Sequence, residues 1–219
     1  MSYLQFWSSH LPTLLNPALK PRKTPVQARS NASVDAILQA TLQVLTSIGK
    51  ERLTTTRVAL RAGVSVGTLY QYFPNKSALL QATLRRHMDE VRTAIEAVCA
   101  EHEGDSLLDM GTALIFAYLA AKMHNVKASA ALYAVSSDVD GATIAKAASQ
   151  RSRRAVVELF ATAKESLTKD PEVIATVVLS AFNGISRSLL ESKSPESQLE
   201  PLRNELIVLV HAYLRTCIR

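Results

Sequence analysis

Apolar residues recur along this chain at intervals of three and four, and nowhere in sustained alternation. Val34, Ile37, Leu38, Thr41, Leu45 and Ile48 fall on one helical face, with Ser30 or Ser33 placed to cap its start and Gly49 to close it. Thr54-Thr55-Thr56 offers an N-cap for a short helix to Ala62, ended by Gly63. Ser65 caps a second short helix over 66–73, broken by Pro74-Asn75. Ser77, Leu80, Leu84, His87, Met88, Val91, Ile95 and Val98 then carry a long helix from near Lys76 towards Gly104. Further helices are predicted over 107–119, less regularly over 126–136, from Ile144 through Ala163 and Leu167 to just before Pro171, over 173–190 and over 199–214. No proline falls within 26–73 or 75–170, which permits long helices. The pattern predicts about nine helices and no strands, an all-α fold.

Composition narrows the class. At 219 residues and 47% hydrophobic, the chain can bury a substantial core. Its net charge of +6 is unevenly spread: residues 1–92 carry +8 and residues 93–219 carry −2. A basic front joined to a near-neutral body suggests a polyanion-binding module attached to something else. Two cysteines, Cys99 and Cys217, provide neither a disulfide framework nor a Cys-rich metal site, and suggest a reducing, cytoplasmic setting. No apolar run is expected to reach the ~18–20 residues of a membrane span. Residues 1–28 lack the basic-then-apolar order of a signal peptide and are broken by Pro12 and Pro17. They are read as a flexible arm ending in Lys20, Arg22, Lys23 and, just beyond, Arg29.

The chemistry concentrates in TTTRVALRAGVSVGTLYQYFPNKSALL, residues 54–80. Two short helices flank Gly63-Val64-Ser65, with small Ala59 four residues before the glycine and Leu69 six after it. That is helix-turn-helix spacing. Ala59 allows close helix approach, Gly63 suits a left-handed turn, and Val58, Ala62, Val64 and Leu69 fill the wedge. Ser65 opens the second helix, and Thr68, Tyr70 and Tyr72 offer hydroxyls to phosphates or base edges. Thr55 or Thr56, with free N–H groups at its helix start, can hold a phosphate. Lys76, Arg57 and Arg61 add positive charge. The spacing alone equally fits a plain helical hairpin; the charge of +8 around it favours DNA.

Residues 30–80 resemble the DNA-binding domain of the tetracycline-repressor (TetR) family of bacterial regulators. The resemblance rests on AILQATLQVLTSIG followed by LTTTRVALRAGVSVGTLYQYFPNKSALL. It implies that Val66, Gly67 and Thr68 meet base edges. Tyr70, Tyr72 and Lys76 would clamp phosphates, and Thr55 and Thr56 would touch the backbone. Val66 can contact a thymine methyl but has no hydrogen bond to offer. The arm's basic residues fit either an adjacent minor groove or a solvated tail. The implied organisation is an arm over 1–28, a three-helix DNA-binding domain over 29–80 and a helical effector-binding and dimerisation domain over 81–219.

The apolar C-terminal helices support that division independently. Val173, Ile174, Val177, Val178, Ala181, Phe182 and Ile185 cover more than one face, and residues 206–210 are apolar nearly all round, so both helices need burial on two sides. A two-fold homodimer is expected through Val177, Val178, Ala181, Ile185, Leu206, Val210 and Tyr213. Phe116, Tyr118, Met123, His124, Tyr133, Phe160, Phe182 and Asn183 are candidates to line a pocket for an apolar or amphipathic small effector, although each is also a plausible core residue. Arg151, Arg153 and Arg154 read as a solvated face, or less simply as a partner for an anionic ligand. The expected partners are therefore an operator in double-stranded DNA, a second copy of the chain and an unidentified effector, with no cofactor and no metal. Catalysis finds no support: the five histidines show no H-E-x-x-H spacing, and neither G-x-S-x-G nor a phosphate loop occurs. Repression relieved by an effector is the reading; an activator, or an architectural DNA-binding protein without effector, remains the alternative.

Overall fold

The computed structural model describes residues 25–136 and 141–219, with side chains from residue 30 onward. Lys20, Arg22, Lys23 and the side chain of Arg29 lie outside the described residues, as does the arm up to residue 24. Among the described residues the fold is all-α, with nine helices: α1 (Pro25–Arg52), α2 (Thr55–Ala62), α3 (Val66–Tyr72), α4 (Lys76–Glu101), α5 (Leu107–Met123), α6 (Val126–Val135), α7 (Gly141–Phe160), α8 (Pro171–Glu191) and α9 (Pro195–Arg215).

Local capping explains most boundaries. Thr54 accepts the Arg57 amide, Ser65 the Thr68 amide, Asn75 the Ala78 amide and Ser106 the Asp109 amide. Asn75 therefore starts α4 two residues beyond Phe73, the C-cap of α3. Gly63 closes α2 in the left-handed region at φ 69°, where a β-carbon would be strained. Pro171 and Pro195 each occupy the first turn of their helices, where the missing N–H costs nothing.

α5 runs on to Met123 and α9 starts already at Pro195, each about one turn beyond its expected bound, and three further boundaries differ from the expectation. α1 begins at Pro25, so residues 25–28 are helical rather than part of an arm and neither Ser30 nor Ser33 is its cap. The glycine expected to close it, Gly49, is non-helical at φ 77° but the chain re-enters a short turn to Arg52. α7 ends at Phe160 instead of continuing through Leu167. The backbone beyond it is claimed by tertiary partners: Lys164 N–H donates to Asp105 O, Thr168 N–H to Cys217 O, and Leu167 forms an isolated antiparallel bridge with Ile218. The Glu165 carboxylate accepts the Leu107 N–H at 2.9 Å and so satisfies an open donor at the start of α5.

The interior holds two apolar clusters. One packs α1–α3 and the first half of α4 through Ile37, Leu45, Val58, Leu69, Leu79 and Leu84, with Leu132, Val135 and Ile144 from α6 and α7 closing it. The other packs Val91 and Ile95 of α4 with α5, α7, α8 and α9 around Leu114, Phe160, Phe182, Leu206 and Leu214. α4 thus runs through both, its first half in one and its second half in the other, and α7 joins them at Ile144 and at Val156, Leu159 and Phe160. By length and composition α8 would also suit a membrane span, contrary to expectation, yet it is a core helix with Ile174, Ala175, Val178, Leu179, Phe182 and Leu189 inside.

α5 and α9 approach closely at Gly111, where an added Cβ would lie 2.6 Å from Leu214 Cδ1 and 3.4 Å from Val210 Cγ1. Both neighbours are fully enclosed. Gly111→Val is therefore expected to destabilise by about 2 kcal/mol through overpacking, a fall in Tm of about 4–8 °C for a chain of this size. Thermal unfolding of the variant checks it; an unchanged or higher Tm would mean α9 shifts freely.

Candidate nucleic-acid interface and small-molecule cavity

The two helices of the motif are locked to each other and to α1. Thr55 Oγ1 lies 3.0 Å from the Tyr70 hydroxyl, joining the start of α2 to α3. Ser65 Oγ accepts the Thr68 N–H at 2.9 Å and sits 2.8 Å from Thr68 Oγ1, ordering the first turn of α3. Arg57 Nη1 donates to Arg52 O at 2.6 Å and Lys76 Nζ to Lys50 O at 2.8 Å. Both cations thus hold the carbonyl end of α1, where positive charge is favoured by the helix dipole. Arg61 Nε donates to Gln43 Oε1 at 2.7 Å, fastening the far end of α2 to α1.

The residues singled out for DNA divide by exposure. Thr56, Arg57, Ser65, Gly67 and Tyr70 are exposed, whereas Thr55, Val66, Thr68, Tyr72 and Lys76 are half-buried. Val66 and Tyr72 pack partly onto the neighbouring core, so only part of each faces outward. Gln71, which the pattern did not single out, stands exposed beside Tyr70. Its amide is the side-chain type that pairs with adenine in a major groove, and its place on the outer face of a seven-residue helix was the available signal.

A cavity of about 270 Å³ lies in the other half of the molecule, between α4, α5, α6, α7 and α8. Met88, Val91 and Ile95 of α4 and Leu179 and Leu190 of α8 form its apolar walls. Its polar groups are Arg92, Lys122, Ser149, Ser152, Asn183, Ser186 and Arg187, together with the rings of Tyr118 and Tyr133. The Tyr118 hydroxyl donates to Asn183 Oδ1 at 2.8 Å and lies 3.1 Å from Ser186 Oγ. Burial pushes that phenol up to about 12, so it stays protonated.

Of the eight pocket candidates, Tyr118, Tyr133 and Asn183 line this cavity. Phe182 packs behind it, its ring tilted 41° to that of Tyr118 with the centroids 5.4 Å apart. The other four lie elsewhere. Phe160 is fully buried in the core. Phe116 is exposed beneath the Arg203 guanidinium, 4.8 Å from its ring centroid. Met123 and His124 border a separate surface hollow at the α5–α6 turn. The cationic and apolar positions that build the cavity were missed because nothing in a helical repeat says which inward position faces a void.

The interface candidates divide similarly. Val178, Leu206 and Val210 are enclosed within the protomer and cannot meet a second copy, and Ala181, Ile185 and Tyr213 are half-buried. Val177 is exposed, and with it stand Val173, Val208 and Leu209, which the pattern left out. The arginine cluster is a solvated face: Arg153 pairs with Glu172 and Arg154 with Glu158, and Arg151 is exposed. Cys99 is pushed up to about 11 by burial and the nearby carboxylates of Glu96 and Glu158, which keeps it a thiol.

A capped helix-turn-helix on one core and a hollow helical body on another, sharing α4, define a two-part DNA-binding regulator. Comparison with known proteins gives the family. Residues 37–83 match the family model described as bacterial regulatory proteins, tetR family, and residues 106–214 match the tetracyclin repressor-like C-terminal domain. The chain belongs to the TetR family of transcriptional regulators. It is 37% identical over 59 residues to the HTH-type transcriptional regulator BetI of Escherichia coli, a match covering 27% of this chain and 30% of that protein. The chain thus aligns with less than a third of that relative's length. Among solved structures it is similar to a protein of Mesorhizobium loti described as a TetR-family transcriptional regulator, with TM-score 0.68 and 19% identity over 87% of this chain and 99% of the other. It is also similar to the fatty acid degradation regulator FadR of Bacillus halodurans, with TM-score 0.62 and 16% identity over 80% of this chain and 94% of that one. At such identities these two structures share the fold alone.

Proposed function

We propose that this protein is a cytoplasmic, homodimeric repressor that releases a near-palindromic operator when a small molecule fills the α4–α8 cavity. The DNA-binding part comprises the arm and α1–α3, and the effector-binding and dimerising part begins within α4. In this reading Val66, Gly67, Thr68 and Gln71 face bases, and Thr55, Thr56, Arg57, Ser65, Tyr70, Tyr72 and Lys76 face phosphates. Two such surfaces, one DNA turn apart in a two-fold dimer, would read matching half-sites.

The observation that carries the reading is the course of α4. Its first half supplies Leu79, Leu80 and Leu84 to the core under the helix-turn-helix, and its second half supplies Met88, Val91, Arg92 and Ile95 to the cavity wall. Lys76, its first residue, is bonded to the end of α1. A ligand that fits best with α4 displaced therefore favours a different placement of the recognition helices, and DNA affinity falls by the ligand's preference for that arrangement.

The test begins with duplexes selected from a random pool by the full-length protein. Recovered sequences should show two-fold symmetric half-sites, and log K should fall linearly with log salt. Tyr70→Phe removes one hydroxyl per protomer, about 1 kcal/mol each, and is expected to weaken dimer binding about thirtyfold in fluorescence anisotropy. Failure to enrich any duplex, or binding indifferent to salt, would sink the reading.

A further inference from the structure

Three cations line the cavity, and they are not equivalent. Arg92 is neutralised by Asp89 at 3.2 Å and Glu96 at 2.6 Å. Arg187 is neutralised by Glu191 at 2.9 Å and lies over the Tyr133 ring, 5.6 Å from its centroid. Lys122 has no carboxylate within ion-pair distance among the described residues. Its Nζ lies over the Tyr118 ring, 6.0 Å from the centroid, at the outer limit of a cation–π contact. Burial lowers its pKa, the response of an ammonium drawn out of water without a counter-charge. The neighbouring His87 offers no relief, because the Lys122 charge itself helps push that imidazole down to about 4.

Even a half-buried charge without a carboxylate partner is costly to a fold that gains nothing from it. Here it stands at the wall of a hollow whose remaining surface is largely apolar, with the Tyr118–Asn183–Ser186 hydroxyl and amide set nearby. We propose that the cavity takes an amphipathic monoanion, its carboxylate seated on Lys122 and its apolar part against Met88, Val91, Ile95, Leu179 and Leu190. One negative charge suffices, since Arg92 and Arg187 already hold their own carboxylates. The volume, about 270 Å³, lies near the lower end of small-molecule pockets and suits a medium-chain or arylalkyl acid. This assignment rests on the cavity being the effector site and sharpens the class of effector it takes.

The test uses the full-length protein, titrated calorimetrically with octanoate and 4-phenylbutyrate against octanamide and 4-phenylbutyramide. At least one acid should bind about tenfold or more tightly than its amide, the worth of one charge-assisted hydrogen bond. Lys122→Met should abolish that preference, weakening the acid and sparing the amide, whereas Lys122→Arg should retain it. Without ligand, Lys122→Met should raise Tm by a few degrees because a half-buried charge without a carboxylate partner has been removed. Should Lys122→Met prove unfolded, Lys122→Gln serves the same comparison. Amides that bind as well as the acids, a preference that survives Lys122→Met, or no binding by any of the four would overturn the assignment. Amides that bind and release operator DNA would overturn it while leaving the effector reading intact. A Lys122-dependent acid that binds without releasing DNA would support it and instead defeat effector release.

Discussion

Gly184→Arg is expected to leave each protomer folded, to separate the two copies and to weaken operator binding by about 100-fold or more. The glycine lies in α8, and a Cβ there meets nothing within 4 Å, so the substitution disturbs no contact inside the protomer. Replacing an interior helical glycine also favours the helix by up to about 1 kcal/mol. Val173, Val177, Ser180 and Gly184 recur at helical spacing on the exposed side of α8 without a charge among them, and Val208 and Leu209 are exposed on adjoining α9 at 62% and 55%. Apolar exposure of that kind marks an association surface, and a small residue in its midst lets helices approach closely. A guanidinium placed there in both copies would be buried without a partner. Losing the dimer loses the avidity of two linked half-sites, which multiplies affinity by roughly 10²–10⁴. Sedimentation velocity and anisotropy on the same preparation decide it. A variant that remains dimeric and binds fully would place the interface on another face.

The motif was legible because its causes are local. Thr54, Gly63, Ser65 and Asn75 set helix ends through their own backbone neighbours, and each can be read without knowing what packs above it. The overlong reading of α7 shows the converse. Ala163 and Leu167 continue its apolar period and are indeed packed on the core, but through contacts with the chain's C-terminal end rather than through a helix. Periodicity reports that a residue is turned inward, and it does not report which element turns it.

The same limit governs the interface and the cavity. Val178, Leu206 and Val210 look as available for a partner as Val173 and Val208 do, because both faces of α8 and α9 are apolar; only packing against α5 and α7 separates the inner set from the outer. Among the pocket candidates, aromatic residues attracted notice by size, yet Phe160 is enclosed in the core, whereas Lys122, Arg92 and Arg187 border the open space. The absence of charge from the α8 stripe, and a lysine within the apolar α5, were the sequence signals available. Both are departures from a simple core helix, and both fall where function is proposed.

His87 should make the fold acid-sensitive, with wild-type stability falling by about 2–3 kcal/mol between pH 7 and pH 4.5 through this one side chain. The residue sits on α4, 8% exposed, with Nε2 3.1 Å from Ser129 Oγ. Ser129 spends its only proton on Lys122 O at 2.8 Å, so Nε2 must carry the ring proton and donate. The neutral imidazole thereby ties α4 to α6 and, through the serine, to the cavity-lining turn of α5. Burial, and secondarily the Lys122 charge, lowers its pKa to about 4 from 6.5. Between those values the unfolded chain binds the extra proton and the folded one does not. Stability from this group is therefore complete above about pH 6.5 and is lost as pH falls towards 4. Glu90, whose Oε2 is 3.8 Å from Nδ1, is the one carboxylate among the described residues within ion-pair distance to soften the loss. In His87→Gln the amide can keep the bond to Ser129 but does not titrate. Urea unfolding at pH 7 and pH 4.5 should then show the wild type losing about 2–3 kcal/mol more than the variant across that interval. Equal losses would mean that His87 is hydrated, and that α4 is not held to the cavity wall by a neutral imidazole.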